Sequence, residues 1–365
     1  MRGFYSSFLR TLSNRLLVAN LSAIYSRLLT LWDNFNPGEG WLWLLNFSGG
    51  KDSSLLLAAV IDFLNSKGCL DRLLVVHEDT TIELPQVHES VREVFRRVRD
   101  EGARTAILEA EENFFTLMLK RGYSFPKWNF RWCCRVYKYG VAKRFIKNLP
   151  QEKILNLLAI RGDEATRIRG KWIREEKVYG KRIVTSSPLI DLDIRNVWDT
   201  LRTQYPDFYG GLRRIYVAKA DGLGCWACTV IREDLATLAL DPHLYELKVR
   251  LCNARCTGLG HFIEALKAAV RERPDAFPRF RWPEEPRDVR CRGKCGSCQI
   301  RRAWRGRETP KYIVQPCWER SDMLHIIFAR AEDGLEAVEK LPAAEVHEGG
   351  RILCVPKSLM RFLKE

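Results

Sequence analysis

Residues 41–58 read WLWLLNFSGGKDSSLLLA, and the fold turns on how that stretch is punctuated. Trp41 to Leu45 is a continuous apolar run, which predicts a strand buried on both faces. Ser48-Gly49-Gly50 predicts a tight turn. Asp52-Ser53-Ser54 then opens an apolar run from Leu55 to Phe63 that predicts a helix. Strand, glycine turn and helix start together make a cradle for an anion. Glycine lets the backbone approach closely, the first-turn N–H groups have no partner inside the helix, and the helix dipole favours negative charge there. Lys51 adds a point charge suited to a phosphate. An ordinary turn explains a lone Gly-Gly; it explains poorly the whole string Ser48-Gly49-Gly50-Lys51-Asp52-Ser53.

Working outward, residues 1 to 34 show helical periodicity through Leu16, Leu17, Leu21, Ile24, Leu28 and Leu29, and NFNPGEG at 34–40 breaks it. From Trp41 onward short apolar runs alternate with longer helical periods. Strands are predicted at 41–46, 72–78, 104–109, 153–160 and 181–186, and helices at 52–65, 85–101, 112–121, 136–148 and 194–204. This alternation predicts an α/β fold, a doubly wound and mostly parallel sheet covered on both faces. Ligands in such folds sit at the carboxyl ends of strands, where the 47–51 loop falls.

The chain has 365 residues and a net charge of +15, which favours a polyanionic partner such as nucleic acid, or else a generally basic surface. No apolar run is long enough to span a bilayer, and no secretory signal pattern is read at the N-terminus, so a cytoplasmic protein without membrane attachment is expected. In a reducing cytosol the 12 cysteines, closely spaced, point to metal or cluster ligands before disulfides.

Four segments carry candidate chemistry. Asp79, after the second strand, suits a ribose hydroxyl or a metal, and equally a helix N-cap before Leu84. Arg161, Arg167 and Arg169 follow the 153–160 strand; guanidinium groups there suit phosphate or sulfate, or a solvated turn paired with Asp163 and Glu164. Cys133 and Cys134 close an aromatic stretch, and Cys225 and Cys228 form a Cys-x-x-Cys. Four thiolates suit a [4Fe–4S] cluster or a tetrahedral zinc, although a buried cysteine also serves as a small hydrophobe. Cys291, Cys295 and Cys298 with a distant Cys317 suit Zn²⁺ or a second cluster. The arginine-rich 287–307 stretch holding Trp304 suits a nucleic-acid backbone and a stacked base.

SGGKDS at 48–53 resembles the PP-loop of ATP pyrophosphatases, the superfamily that cleaves ATP between its α and β phosphates, and it lacks the Walker A pattern. The resemblance implies an adenine nucleotide alpha hydrolase-like domain. In it Ser48 to Ser53 would grip the pyrophosphate portion of ATP, and Asp52 would be associated with Mg²⁺. The two cysteine pairs resemble those holding [4Fe–4S] in assimilatory adenylylsulfate reductases, within the phosphoadenosine phosphosulfate (PAPS) reductase-like family. Ala159 and Ala165 stand where that superfamily's arginine motif has Gly and Ser, while Ser187-Pro188-Leu189-Ile190-Asp191 with Trp198 resembles its closing segment.

Several blocks look more like the DndC-type sulfurtransferases of DNA phosphorothioation. These are Ile24-Tyr25, Asp79 to Pro85, Gly122 to Pro126, Phe130 to Cys133, and Gly224 to Val230. That resemblance implies an ATP-using enzyme that adenylates or thiolates a nucleic acid, with a cysteine desulfurase or other sulfur donor as partner. Two departures stand against a simple transfer of either family. Cys354 lacks the Glu-Cys-Gly-Leu-His context of the reductases' nucleophile, and Cys134 stands where the DndC type is expected to have another residue. The expected organisation is an N-terminal helical segment at 1–35, a PP-loop domain at 36–230, a helical extension at 231–287, and a Cys-rich basic region at 288–365, its end a small helical or αβ tail. Two other functions compete with the sulfurtransferase: reduction of adenylylsulfate or PAPS, and a non-enzymatic iron–sulfur nucleotide sensor.

Overall fold

The computed structural model describes residues 20–127, 129–163, 172–217, 222–231, 234–288, 307–317, 319–320, 322–341 and 344–359. The chain divides into two compact units, one of 1–79, 88–109 and 137–214, the other of 80–87, 110–136 and 215–365.

The first unit is built on a six-stranded sheet of order β3-β2-β1-β4-β6-β5. Its strands are β1 (Trp41–Asn46), β2 (Leu73–Asp79), β3 (Arg104–Glu109), β4 (Lys153–Leu157), β5 (Ile173–Val178) and β6 (Lys181–Ser186). All pairings are parallel except β5 with β6. Trp41 to Leu45 is buried throughout, as a central strand covered on both faces requires. Strand order reverses at β1, with β2 on one side and β4 on the other, so the crevice of the sheet opens at its carboxyl end. The α/β, mostly parallel architecture read from the alternation is therefore the one observed.

Helices α1 (20–34), α2 (Lys51–Ser66) and α3 (Pro85–Asp100) match the expected periods closely. So do α4 (Phe114–Arg121), α5 (Val141–Asn148) and α6 (Ile194–Gln204), and α7 (Pro206–Arg213) is a further helix beyond those expected. One difference is local: the expected 136–148 helix opens as a π-helical segment, Cys134–Gly140, before α5. A second difference is β5. Its sequence, IREEKV, is mostly charged and none of its residues is fully buried. It is an edge strand whose ladder is made with β6 alone, so no apolar alternation marks it.

In the second unit the helices α8 (Leu235–Leu240), α9 (Pro242–Thr257) and α10 (Leu259–Glu272) follow the first sheet's last strand, and then strands return. β7 (Tyr312–Pro316), β8 (Met323–Phe328), β9 (Glu345–His347) and β10 (Ile352–Pro356) form an antiparallel sheet of order β7-β8-β10-β9. Leu324, Ile326, Phe328, Leu353 and Val355 share one face, against Val338 of α11 (Ala331–Lys340). Ile327 and Ile352, on the other face, pack with Ala239 and Leu235 of α8. None of the described helices is long and apolar enough to cross a membrane.

The helical layer is pinned by a buried ion pair. Lys248 of α9 donates to Asp234 at 2.6 Å, and the same carboxylate caps α8 through the Thr237 N–H (3.1 Å) and hydroxyl (2.7 Å). Both side chains are fully buried. Removing one partner of such a pair strands a charge in a low-dielectric interior. Lys248→Ala is therefore expected to destabilise the protein by about 3–5 kcal/mol, read as a lower urea midpoint at unchanged slope.

Candidate functional site

The loop after β1 is shaped by its own serines. Ser53 Oγ donates to the Gly50 carbonyl (2.9 Å), accepts from the Ser48 N–H (3.2 Å) and lies 3.1 Å from Ser48 Oγ. Gly49 sits at φ +75°, the left-handed region that glycine enters without strain. Gly50 is the N-cap of α2 and offers no side chain to its N–H groups, which leaves the first turn to an outside acceptor. His77 Nδ1 lies 2.8 Å from the Phe47 carbonyl and ties the end of β1 to β2.

Charge is concentrated at this point. Lys51 is 1% exposed and donates to Asp52 at 2.8 Å. Arg161, 3% exposed, donates to the other Asp52 oxygen and also to Asp163 at 3.0 Å. The turn carrying Arg161 is clamped at Gly162, whose N–H donates to the Ile190 carbonyl at 2.8 Å. A Cβ at Gly162 would lie 2.5 Å from that oxygen. The 187–191 segment is held in turn by Arg27, which donates to the Pro188 carbonyl (3.0 Å) and to Asp191. Below the loop a polar ladder crosses three strands: Asn46 donates to Asn156 (2.6 Å), and Asn156 to Thr185 (3.3 Å). Asp79 is buried at the carboxyl end of β2.

Two cations around one carboxylate, at the start of a helix whose N-cap is a glycine, make a site suited to a polyanion. Each Asp52 oxygen retains a second lone pair, so the carboxylate can also take a metal. The expected loop residues and Arg161 thus come together in one place. The Asp52–Arg161 pair links positions far apart in sequence and no local pattern announced it. Arg167 and Arg169 lie outside the described residues.

The second unit brings the cysteine pairs together. The Cys133 thiol is pushed up from its usual range, first by its hydrogen bond with Cys134, then by burial, then by the charges of Cys134, Cys225 and Cys228. All four are partly buried thiols. Cys225 and Cys228 flank a tight turn, closed by the Cys228 N–H on the Cys225 carbonyl at 3.0 Å. The strap 80–82 holds that turn. Trp226 donates from its backbone to the Ile82 carbonyl (2.9 Å), and Thr80 Oγ1 lies 3.5 Å from Cys225 Sγ. Trp226 is fully buried, its ring 5.7 Å from both Phe115 and Phe277. Trp132, next to Cys133, stacks on Phe114 at 4.8 Å and donates to the Ser124 carbonyl at 2.9 Å. Aromatic packing thus fixes both pairs. The four thiols are the donor type of an iron–sulfur cluster or zinc, and among the described residues no three of their sulfurs fall within 4.8 Å of one another, a wider spacing than one tetrahedral ion sets.

Cys291, Cys295 and Cys298 lie outside the described residues. Cys317 is buried, with His325 and Cys354 beside it, their donor atoms all within 4.8 Å of one another. Sequence reading missed both neighbours, because each stands alone in an apolar strand.

A strand–glycine–helix cradle at the switch point of a parallel sheet defines the class: an α/β domain built to hold a nucleotide's phosphates. The family model for the phosphoadenosine phosphosulfate reductase domain matches residues 43–231, more than half of the chain, and this chain belongs to that family. The glycine loop lies within the matched segment. An uncharacterised protein of Methanocaldococcus jannaschii is 25% identical over 185 residues, which are 51% of this chain and 35% of that one. Among solved structures, Candida glabrata FMN adenylyltransferase in complex with FAD and inorganic pyrophosphate is similar with a TM-score of 0.38. Identity there is 13%, with 51% of this chain and 57% of that chain covered. The phosphate complex of the Candida auris phosphoadenylyl-sulfate reductase is similar with a TM-score of 0.33 at 19% identity, covering 44% and 71%.

The clamp at Gly162 is testable apart from the chemistry. Gly162→Ala must push the Ile190 carbonyl aside and move Arg161. Loss of one charge-assisted hydrogen bond, about 1.5–3 kcal/mol, is expected to weaken ATP binding roughly 10- to 100-fold by calorimetry, with the melting temperature little changed.

Proposed function

We propose that this chain is an ATP-dependent PP-loop sulfurtransferase of the DndC kind, which adenylates or thiolates a nucleic acid and carries an iron–sulfur cluster. The observation that carries this reading is the gathering of Cys133, Cys134, Cys225 and Cys228, distant in sequence, in a chain whose glycine loop is built for a polyphosphate.

ATP lays its phosphates on Ser48 to Ser53. Lys51 and Arg161 then donate to phosphate oxygens, and Asp52, relieved of part of its pairing, is the residue that would hold Mg²⁺, which would supply charge neutralisation at the phosphates. Asp79 at the end of β2 is within the same crevice rim and suits the ribose. An oxygen of the acceptor attacks the α-phosphorus and forms a new P–O bond. The bond to the β,γ-phosphates breaks, and pyrophosphate leaves with the electron pair. Lys51, Arg161 and the helix N–H groups stabilise that charge. The terminal sulfur of a persulfide, supplied by a cysteine desulfurase, then displaces AMP and leaves the acceptor joined to the carrier cysteine by an S–S bond. Attack of a second thiol on the carrier sulfur releases the thiolated acceptor, and an external dithiol reduces the disulfide left behind.

Cys225, Cys228 and one or both of Cys133 and Cys134 hold the cluster, and the remaining thiol is a spectator or a sulfur carrier. When bound, a [4Fe–4S] group supplies a redox-active, sulfur-binding centre. The net charge of +15 supports a nucleic-acid acceptor. Cys354 supports a transferase over a reductase: it is 1% exposed within β10, and lacks the access a nucleophilic tail cysteine needs. The family match keeps sulfonucleotide reduction as the second reading.

Anaerobically purified protein is expected to release pyrophosphate from ATP when given tRNA or DNA. Asp52→Ala is expected to lower that rate by about 10²–10³-fold. Undiminished release by Asp52→Ala would sink the mechanism, and thioredoxin-dependent sulfite release from a sulfonucleotide would select the reductase. Cys225→Ser with Cys228→Ser is expected to abolish bound iron and the visible thiolate-to-iron absorbance; retention of both would remove the cluster from this site.

A further inference from the structure

We propose that Cys317, His325 and Cys354 form a second, separate metal site, a zinc-class centre that staples the C-terminal antiparallel sheet. It rests on none of the chemistry assigned to the loop or to the other thiols.

The three donors are brought together by strand register. His325 of β8 and Cys354 of β10 are direct cross-strand partners. Gln315 of β7 faces His325 from the other side, and Cys317 stands two positions further on, so it projects from the same face. The Cys317 N–H donates to the Met323 carbonyl at 3.0 Å, which closes the β7–β8 connection and fixes the cysteine over the sheet. The donor atoms lie within 4.8 Å of one another. Tetrahedral zinc with bonds of about 2.0–2.3 Å needs donor separations of roughly 3.5–4 Å, so side-chain rotation suffices to close the site.

Burial makes the arrangement informative. Cys317, His325 and Cys354 are 4%, 7% and 1% exposed. The opposite face of the same strands is wholly apolar and carries the α11 core. The polar donors therefore occupy one parity of the strands and one end of the sheet. An outer layer is also present. Arg320 donates to Cys354 Sγ at 2.9 Å and pairs with both oxygens of Glu345, at 2.8 and 2.6 Å. A guanidinium donating to a ligand sulfur, itself held by a carboxylate, is the kind of support that orients a metal thiolate. Two thiolates neutralise a divalent ion, and two sulfurs with one imidazole favour zinc over magnesium or calcium. The element that gains is small, a four-stranded sheet with α11 on one face and α8 on part of the other, for which a metal adds stability beyond that of a limited core. Cys317 thereby has ligand partners other than Cys291, Cys295 and Cys298.

The test uses the full chain, grown with zinc, with metals counted by mass spectrometry. Cys317→Ser, Cys354→Ser and His325→Asn are each expected to lose one equivalent of zinc relative to wild type and to keep its iron. Cys225→Ser with Cys228→Ser is expected to keep that zinc whatever happens to iron, so failure here and failure of the sulfurtransferase reading give different results. Zinc unchanged in the Cys317 and Cys354 variants overturns the proposal, as does a Cys317–Cys354 disulfide in the wild-type protein by peptide mapping. Should those variants not fold, cadmium-113 resonance of the wild type decides. A signal typical of two sulfurs and a nitrogen supports the site, and its absence overturns it.

Discussion

Two nearly buried cations share one carboxylate at the end of the central strand: Lys51 and Arg161 both donate to Asp52. Charges removed from water are costly unless paired, by several kcal/mol each. The first unit satisfies that requirement with a short relay, Arg161 reaching on to Asp163. The arrangement accounts for much around it. The glycine turn brings Lys51 inward, the Gly162–Ile190 hydrogen bond fixes the height of Arg161, and Arg27 anchors the 187–191 segment behind it. A phosphate group entering the cradle offers both cations stronger acceptors than one shared carboxylate. The pairing is a solution to burial, and under the proposed function a phosphate would take the carboxylate's place.

The second unit solves a different problem, holding soft nucleophiles still. Loops carrying thiols are prone to wander, and here aromatic mass prevents it. Trp132 and Trp226, each adjacent to a cysteine, are wedged among Phe114, Phe115 and Phe277. The π-helical turn beginning at Cys134 widens the helix by about one residue per turn beside the cysteine pair. The C-terminal sheet reaches a comparable end by register alone, with His325 and Cys354 opposite each other and Cys317 beside them.

Much of the first unit was legible because its signals are local. A run such as WLWLL buried on both faces, a glycine pair and an apolar helix leave little freedom, and β1, the loop and α2 lie where the pattern puts them. Both cysteine pairs were visible for the same reason. β5 was not, since an edge strand of mostly charged residues carries no apolar alternation. In the second sheet β7 and β8 carry no expectation, and β9 and β10 fall within a tail expected only as small helical or αβ, because MLHIIF and ILCVP are short and fit a helix as well as a strand.

The sequence by itself determined the alternation of central strands and helices in the first unit, the strand–glycine–helix loop, and which thiols were candidates. Tertiary structure alone decided other partners: Arg161 for Asp52, and His325 and Cys354 for Cys317. The physical reason is range. Backbone conformation is fixed by neighbours a few residues away, whereas a charge or a thiol takes its character from whatever the folded chain brings within a few ångströms, and that contact leaves no periodic mark on the chain.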